Sequence, residues 1–304
     1  MLSNIIKHLL SKDGLHWLVY YSLCTTNLKM KLSDSNFLRL QFRCATGMDL
    51  NLGNPVTFNE KLQWLKIYDR NPLYTIMVDK LSVKDYISNQ IGSEYVIPVL
   101  GSWDTTDDID WAVLPNQFVL KCSHDSGGLV ICKDKTILDK AAVKKKLEAS
   151  LKHNYFEHSR EWPYKDVPRK IFAEKYMTED NDELKDYKFF CFNGVVKFFK
   201  VDFNRYIKHQ ANYYDRNLTF LPFYETVCPN DENHHINFPS NIEEMMTIAE
   251  KLSHNIPFVR IDLYNVKGRI LFGEMTFFPA GGMGEILPKE WNTIIGGYLK
   301  LPIS

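Results

Sequence analysis

Four residues near the C-terminal end of the chain, Arg260, Asp262, Glu274 and Thr276, have the types and spacing to hold a divalent cation against a phosphate group. They sit in two apolar runs, Phe258 to Leu263 and Leu271 to Phe277, joined through Asn265-Val266-Lys267-Gly268. If Val266-Lys267-Gly268 form a three-residue loop with Gly268 left-handed, Asn265 pairs with Arg269 and Arg260 falls opposite Glu274. Side chains alternate along strands. One face then carries Arg260, Asp262, Glu274 and Thr276, and the other Val259, Ile261, Leu263, Leu271, Met275 and Phe277. Two carboxylates on one pleated face suit magnesium, which takes one or two carboxylates with phosphate oxygens and water. The same residues also make an ordinary Arg–Glu cross-strand pair. A two-residue turn would split the acids between faces.

Ser126-Gly127-Gly128, between the apolar runs Phe118 to Lys121 and Leu129 to Cys132, is a second candidate. Such a loop can bring backbone amides close to phosphate, with Lys121 adding charge and His124 within reach of a substrate. The chain has no Walker P-loop and no H-R-D kinase loop. His234-His235 lacks metal-like partner spacing, and Asp108-Ile109-Asp110 mimics a glycosyltransferase D-x-D inside an acidic stretch.

These residues need strands and helices to position them. Thr57-Phe58-Asn59-Glu60 is a capping box opening a helix, and a second helix is expected from Leu73 to Ser88. Asp139 to Lys152 reads as helix and Ile171 to Tyr176 as strand. Asn193-Gly194 marks a hairpin between two strands in Tyr187 to Asp202. Ser240-Asn241-Ile242-Glu243 caps a helix to about Ser253. The order is α+β: a mainly helical region (1–113), a small unit with the glycine loop (114–178) and a larger unit (179–304).

Thirty-seven basic residues balance thirty-seven acidic ones, which argues against nucleic-acid binding by bulk charge. The six cysteines form no Cys-x-x-Cys pair, as expected of a reducing compartment. The apolar run Trp17 to Cys24 is far short of the ~20 residues of a membrane span. It reads as a buried helix of a cytoplasmic protein.

With these residues in place, the chain resembles the ATP-grasp superfamily, and within it the TupA-like group associated with bacterial polysaccharide synthesis. The resemblance runs from Thr57 through Trp64 to Leu301-Pro302. It is strongest over Asn116 to Gly128, Tyr187 to Gly194 and Phe258 to Gly282. It implies an ATP-grasp fold, with two α+β units clasping ATP. Val78-Asp79-Lys80 resembles a D-K motif whose lysine reaches phosphate, and Lys121, Lys188, Ser126, Gly127 and Gly128 match other ATP contacts. Glu174-Lys175-Tyr176-Met177 resembles the hinge that reads adenine, with backbone groups of Lys175 and Met177 and the Glu174 carboxylate. Arg260-Ile261-Asp262 and Gly273-Glu274-Met275-Thr276 match Arg-x-Asp and Glu-x-Asn, so Asp262 and Glu274 become magnesium ligands. Thr276 departs from the usual asparagine. Pro279-Ala280-Gly281-Gly282 falls at a proline-glycine turn near substrate. The ribose carboxylate stays open among Glu179, Asp180, Asp182 and Glu183.

The implied activity is an ATP- and Mg2+-dependent carboxylate-amine ligase working through an acyl phosphate, with Arg260 and Lys188 at the reacting centre. The implied substrates are an amino acid, or a derivative, and a sugar precursor. Tyr206, Tyr213, Tyr214 and Trp162 are available for stacking, and a homodimer is left open. A polysaccharide glycosyltransferase and a non-catalytic ATP-binding protein of the same fold are the alternatives.

Overall fold

The computed structural model describes residues 14–25, 28–178, 185–204 and 208–302. Five helices come first: α1 (Gly14–Thr25), α2 (Asp34–Thr46), α3 (Phe58–Tyr68), α4 (Leu73–Val78) and α5 (Val83–Ile91). The small lobe holds β1 (Val99–Trp103), β2 (Phe118–Cys122), β3 (Leu129–Cys132), α6 (Lys140–Lys152), α7 (Tyr155–Ser159) and β4 (Ile171–Lys175). Its antiparallel sheet runs β1-β4-β2-β3. β1 lies inside the stretch expected to be mainly helical, yet it pairs with β4.

The large lobe contains β5 (Asp186–Phe192), β6 (Val195–Phe203), β7 (Gln210–Asp215), β8 (Phe220–Leu221), β9 (Tyr224–Glu225), α8 (Ile242–Leu252), β10 (Phe258–Val266), β11 (Arg269–Thr276), β12 (Ile286–Leu287) and α9 (Glu290–Tyr298). Six strands form one sheet, ordered β11-β10-β5-β6-β7-β8. β5 is buried at every position, as a strand covered on both faces must be.

α3 explains half of that cover. Its capping box is formed: Thr57 Oγ1 accepts from Glu60 N at 3.3 Å, and Glu60 Oε2 accepts from Thr57 N at 2.9 Å. Phe58 then stacks edge-on to Phe258, centroids 5.0 Å apart, and sits 5.8 Å from Phe192. The aromatic end of the sheet face is therefore closed by α3, and the charged end of the same face stays open toward the small lobe.

The expected helix from Leu73 to Ser88 is two helices. Asp79 breaks it, its carboxylate accepting from Leu81 N at 2.9 Å and Ser82 Oγ at 2.6 Å. Short acidic side chains compete in this way with the helix backbone. The break places Lys80 in a turn, tied to the end of β2 by Lys80 N donating to Ser123 O at 3.0 Å. Asn241 does not cap α8 with its side chain. It donates instead to Gly268 O at 3.0 Å and accepts from Asn265 at 2.7 Å, pinning the β10–β11 turn.

Candidate active site

The β10–β11 hairpin turns on two residues, not three. Val266 pairs with Arg269, and Lys267 and Gly268 adopt φ of 52° and 83°, the primed turn that follows strand twist. Unrelieved, this register would set Glu274 opposite Ile261 and send the two acids to opposite faces. A β-bulge prevents it. Leu263 pairs with Phe272, but Asp262 pairs with Glu274 and Arg260 with Thr276, leaving Gly273 as the extra residue. A Cβ on Gly273 would lie 2.9 Å from Asp262 O. Arg260, Asp262, Glu274 and Thr276 do share a face, although Arg260 stands opposite Thr276 rather than Glu274. Leu271 is corrected to the other side: it pairs with Tyr264 and packs against Ile97, Val266 and Met177. Replacing Gly273 by valine should cost about 1–3 kcal/mol through overpacking and weaken nucleotide binding. Thermal unfolding and nucleotide titration check this, and an unchanged Tm and affinity would deny the bulge its role.

Glu274, Asp262, Lys188, Lys200 and Tyr213 lie directly opposite one another across β11, β10, β5, β6 and β7. Glu274, Asp262 and Lys188 of this row form the floor of the site, and Lys200 and Tyr213 continue it into the core. Arg260 grips Asp262 with two bonds, Nε to Oδ1 at 2.6 Å and Nη2 to Oδ2 at 2.7 Å. It also reaches Glu274 Oε1 and Thr276 Oγ1, each at 3.1 Å. Lys188 Nζ donates to Asp262 Oδ2 at 2.7 Å and to Asp186, and lies 3.6 Å from Asp202 Oδ2. Burial alone would favour a neutral amine, but Asp186 and Asp262 outweigh it and raise the Lys188 pKa. Burial raises the Asp262 pKa, against the pull of Arg260 and Lys188. Glu274 goes the other way: burial opposes its charge, yet Lys80, Arg260 and Lys188 hold it well below the usual carboxylate range. Lys80 Nζ stands 3.3 Å from Glu274 Oε2.

The small lobe supplies the roof. Lys121 and Glu174 share the cleft-facing side of β2 and β4, with Lys121 Nζ 2.6 Å from Glu174 Oε2. The other Glu174 oxygen takes Lys84 of α5 at 2.5 Å. Burial would raise the Glu174 pKa, but the two lysines lower it. The carboxylate expected to meet adenine is thus already held by two cations. In the glycine loop, Asp125 Oδ1 accepts from Gly128 N at 2.9 Å, and Cys122 N donates to Gly128 O at 2.8 Å. A side chain on Gly128 would meet Ser150 Oγ at 2.3 Å and Cys122 Sγ at 2.6 Å, so only glycine lets the loop lie this close to α6.

Between roof and floor is a cleft of ≈ 290 Å³ whose lining includes Lys80, Lys121, Ser126, Gly128, Lys188, Asp262 and Glu274. Asp125 and Asp186 also line it; neither they nor Lys84 were singled out by sequence, because tertiary contact recruits them. Tyr264 lines it too and joins the apolar cluster of Ile97, Met177 and Leu271.

Several candidates lie elsewhere. His124 is buried, its Nε2 3.2 Å from Ser150 O, and burial lowers its pKa. It does not line the cleft. Gly127 lines a depression behind the loop. Gly281 and Gly282 have φ of 62° and 66°, and their carbonyls are taken by α3: Gln63 Nε2 donates to Gly282 O at 2.7 Å and Lys66 Nζ to Gly281 O at 2.7 Å. The Lys175 side chain is exposed, and its N–H donates to Pro98 O at 3.0 Å. Tyr176 is half-buried. Tyr213 and Tyr214 are core residues, and Trp162 Nε1 donates to Asp69 O at 3.0 Å. Glu179, Asp180, Asp182, Glu183 and Tyr206 lie outside the described residues. One donor cluster was not foreseen, Asp202, His209 and Cys228, with ligand atoms within 4.8 Å of one another. Lys188 and Lys200, each 3.6 Å from Asp202, disfavour a cation there.

A floor hairpin bearing two acids, a lysine-bearing roof strand and a glycine loop are the parts of a nucleotide clasp, and the family model described as TupA-like ATPgrasp matches residues 60–300. The chain belongs to the TupA-like ATP-grasp family. Its two lobes are those of the ATP-grasp fold. Among solved structures, D-alanine–D-alanine ligase from Bacillus anthracis is similar at 17% identity over 66% of this chain and 57% of that one, TM-score 0.38. The Helicobacter pylori D-alanine–D-alanine ligase gives 13% over 80% and 69%, TM-score 0.41. The biotin carboxylase domain of Hydrogenobacter thermophilus 2-oxoglutarate carboxylase gives 19% over 75% and 47%, TM-score 0.37. The chain thus spans little more than half the length of the first of these, and at such distance the assignment rests on the family model. No curated protein matches the chain. No helix among the described residues is long and apolar enough to cross a membrane.

Proposed function

We propose that the protein is an ADP-forming ligase that uses ATP and magnesium to activate a carboxylate and join it to an amine. The observation that carries this is the convergence of Lys80, Lys121 and Lys188, from three separate parts of the chain, on one cleft with Asp262 and Glu274. The three ammonium groups neutralise the triphosphate so that a carboxylate can approach the γ-phosphorus in line, and positioning with charge stabilisation does most of the work in such transfers. Asp262, Glu274 and Thr276 offer the hard oxygen donors that magnesium prefers. The Thr276 hydroxyl accepts from Arg260 and donates to Glu274 at 3.3 Å, which leaves one lone pair for an ion. When bound, magnesium would offset phosphate charge.

Ile97, Met177, Tyr264 and Leu271 wall the adenine, and backbone groups of Lys175 to Met177 hydrogen-bond it. Ser126, Gly127 and Gly128 close over the phosphates and keep water from the acyl phosphate. Arg260 steadies the oxyanion formed when the amine attacks, an effect worth about 3–4 kcal/mol for one donor at other sites. The substrates, drawn from the family's association with surface polysaccharide, are an amino acid or acylated amino acid and a nucleotide-linked amino sugar or uronic acid, joined in the cytoplasm.

Incubation with ATP, magnesium and paired acids and amines, followed by ADP assay, tests this. ADP release that needs both partners supports it; ATP binding with no substrate-dependent release would mark a non-catalytic binder. Sugar transfer without ATP would mark a glycosyltransferase. Against that alternative, Asp108 and Asp110 close local turns, accepting from Thr105 N at 3.1 Å and Ala112 N at 2.9 Å.

A further inference from the structure

Expected as a buried helix, α1 is covered on one side only. On that side Tyr20 packs on Phe37 of α2, ring centroids 5.9 Å apart, and its hydroxyl accepts from Gln41 Nε2 at 3.0 Å. Gln41 Nε2 also donates to His158 O at 2.7 Å, and the Arg160 guanidinium lies 4.3 Å from the Phe37 ring centroid. Through α2, then, α1 is fixed to the small lobe.

The other side faces outward and is apolar. Leu15, Leu18 and Val19 take the i, i+3 and i+4 positions of one helical face. They are 73%, 46% and 44% exposed, and Tyr21 flanks them at 46%. The twelve residues of α1 include no Asp, Glu, Lys or Arg. A helix that meets water on its outer face carries charge there, whereas one that is apolar all round is buried all round. Met30, in the short turn of helix Leu28–Lys31 that follows, adds another exposed apolar side chain. Five of the nineteen exposed large apolar side chains among the described residues thus fall between positions 15 and 30. That is a patch, not the ordinary scatter of single side chains on a surface.

Size and charge say what covers it. At 1.5 Å per residue α1 is about 18 Å long and about 10 Å across, a footprint of about 200 Å². A stable protein interface takes about 800 Å² from each partner, so this face is too small to hold a second copy by itself. Twelve residues are also too few to cross a bilayer, which needs ~20. A short apolar helix that is neither buried nor spanning suits the plane of a lipid surface. The sequence around it is basic in a chain of zero net charge: Lys7 and Lys12 precede α1, Lys29 and Lys31 follow, and Asp13 is the one acid in the first 31 residues. An apolar face gives marginal membrane binding alone and stable binding when basic residues meet anionic headgroups beside it.

We propose that α1 docks the protein on an anionic phospholipid bilayer, with Leu15, Leu18 and Val19 entering the acyl boundary and the flanking lysines meeting the headgroups. The patch shares no residue with the lining of the nucleotide cleft, so this inference stands independently of the ligase proposal.

The test floats the full chain with vesicles of phosphatidylcholine alone and of an equal mixture with phosphatidylglycerol. Binding to the mixed vesicles should exceed binding to phosphatidylcholine by about tenfold or more, and it should fall as added salt shortens the screening length. The triple variant Leu15→Gln/Leu18→Gln/Val19→Gln should bind the mixed vesicles more weakly by about tenfold or more, with the parental Tm and the parental affinity for the nucleotide analogue AMPPCP. No parental binding to the mixed vesicles, or a triple variant that floats like the parent, would overturn the proposal. Equal binding to the two kinds of vesicle would overturn the part given to the lysines. A parent that dimerises in sedimentation velocity, beside a monomeric triple variant, would assign the patch to a second copy and overturn the bilayer.

Discussion

Replacing Glu274 by glutamine is expected to remove ATP-dependent turnover while leaving the protein folded. The Glu274 side chain is 35% exposed and looks into the cleft, whereas that of Asp262 is 2% exposed and clasped by Arg260 and Lys188. Of the two acids, Glu274 is therefore the one an incoming ion meets first. Its charge is already stabilised by Lys80, Arg260 and Lys188, so it is ionised before any nucleotide arrives. Glutamine keeps the shape and loses that charge. A metal's contribution to phosphoryl transfer is several kcal/mol; loss of about 4 kcal/mol would lower kcat/KM roughly 10³-fold. The check is ADP release under saturating magnesium, beside circular dichroism and a melting curve within a few degrees of the parent. Turnover near the parental rate in a folded variant would remove Glu274 from the metal site.

The same geometry gives Lys80 a part to play before catalysis. Paired with Glu274 at 3.3 Å, it is kept in the cleft by the carboxylate it would leave on meeting phosphate. Its position depends on Asp79, which breaks the helix and turns Lys80 toward β2. A local, side-chain-driven event thus sets a long-range contact.

Local events were what the sequence made legible. The capping box at Thr57 and the Asn193-Gly194 turn, with φ of 50° and 80°, involve residues within a few positions of each other. The faces of the β10–β11 hairpin were legible too, but for an incomplete reason. A shorter turn and a bulge each shift the pairing by one residue; together they restore the expected faces beyond Gly273, with Arg260 opposite Thr276, and leave Leu271 on the other face. A glycine inside a strand pattern is the available signal for such a bulge. Lys84, Asp125 and Asp186 carried no signal of their own. Each is an ordinary charged residue until the fold sets it against Glu174, Gly128 or Lys188. Asp79 carries two signals at once, part of a nucleotide motif and a side chain that breaks the helix by accepting from Leu81 N and Ser82 Oγ.

Replacing Lys188 by methionine is expected to destabilise the fold as well as the site. Its ammonium, on a 9%-exposed side chain, lies among Asp186, Asp202 and Asp262. Methionine fills nearly the same volume and leaves the carboxylates behind. Removing one partner from a buried ion cluster typically costs about 3–5 kcal/mol, a fall in Tm of roughly 5–8 °C for a chain of this size. The loss should not be shared evenly. Lys188 Nζ is in direct contact with Asp186 but lies 3.6 Å from Asp202, so its removal falls harder on Asp186. Adding Asp186→Asn to Lys188→Met should therefore recover a large part of the lost Tm, while adding Asp202→Asn should recover less. Nucleotide affinity should stay low in all these variants, because none returns the cation to the cleft. Equal recovery from both aspartate changes would show that the charge is spread across the row of side chains rather than centred on Asp186, and a parental Tm in Lys188→Met would show that the lysine serves the nucleotide alone.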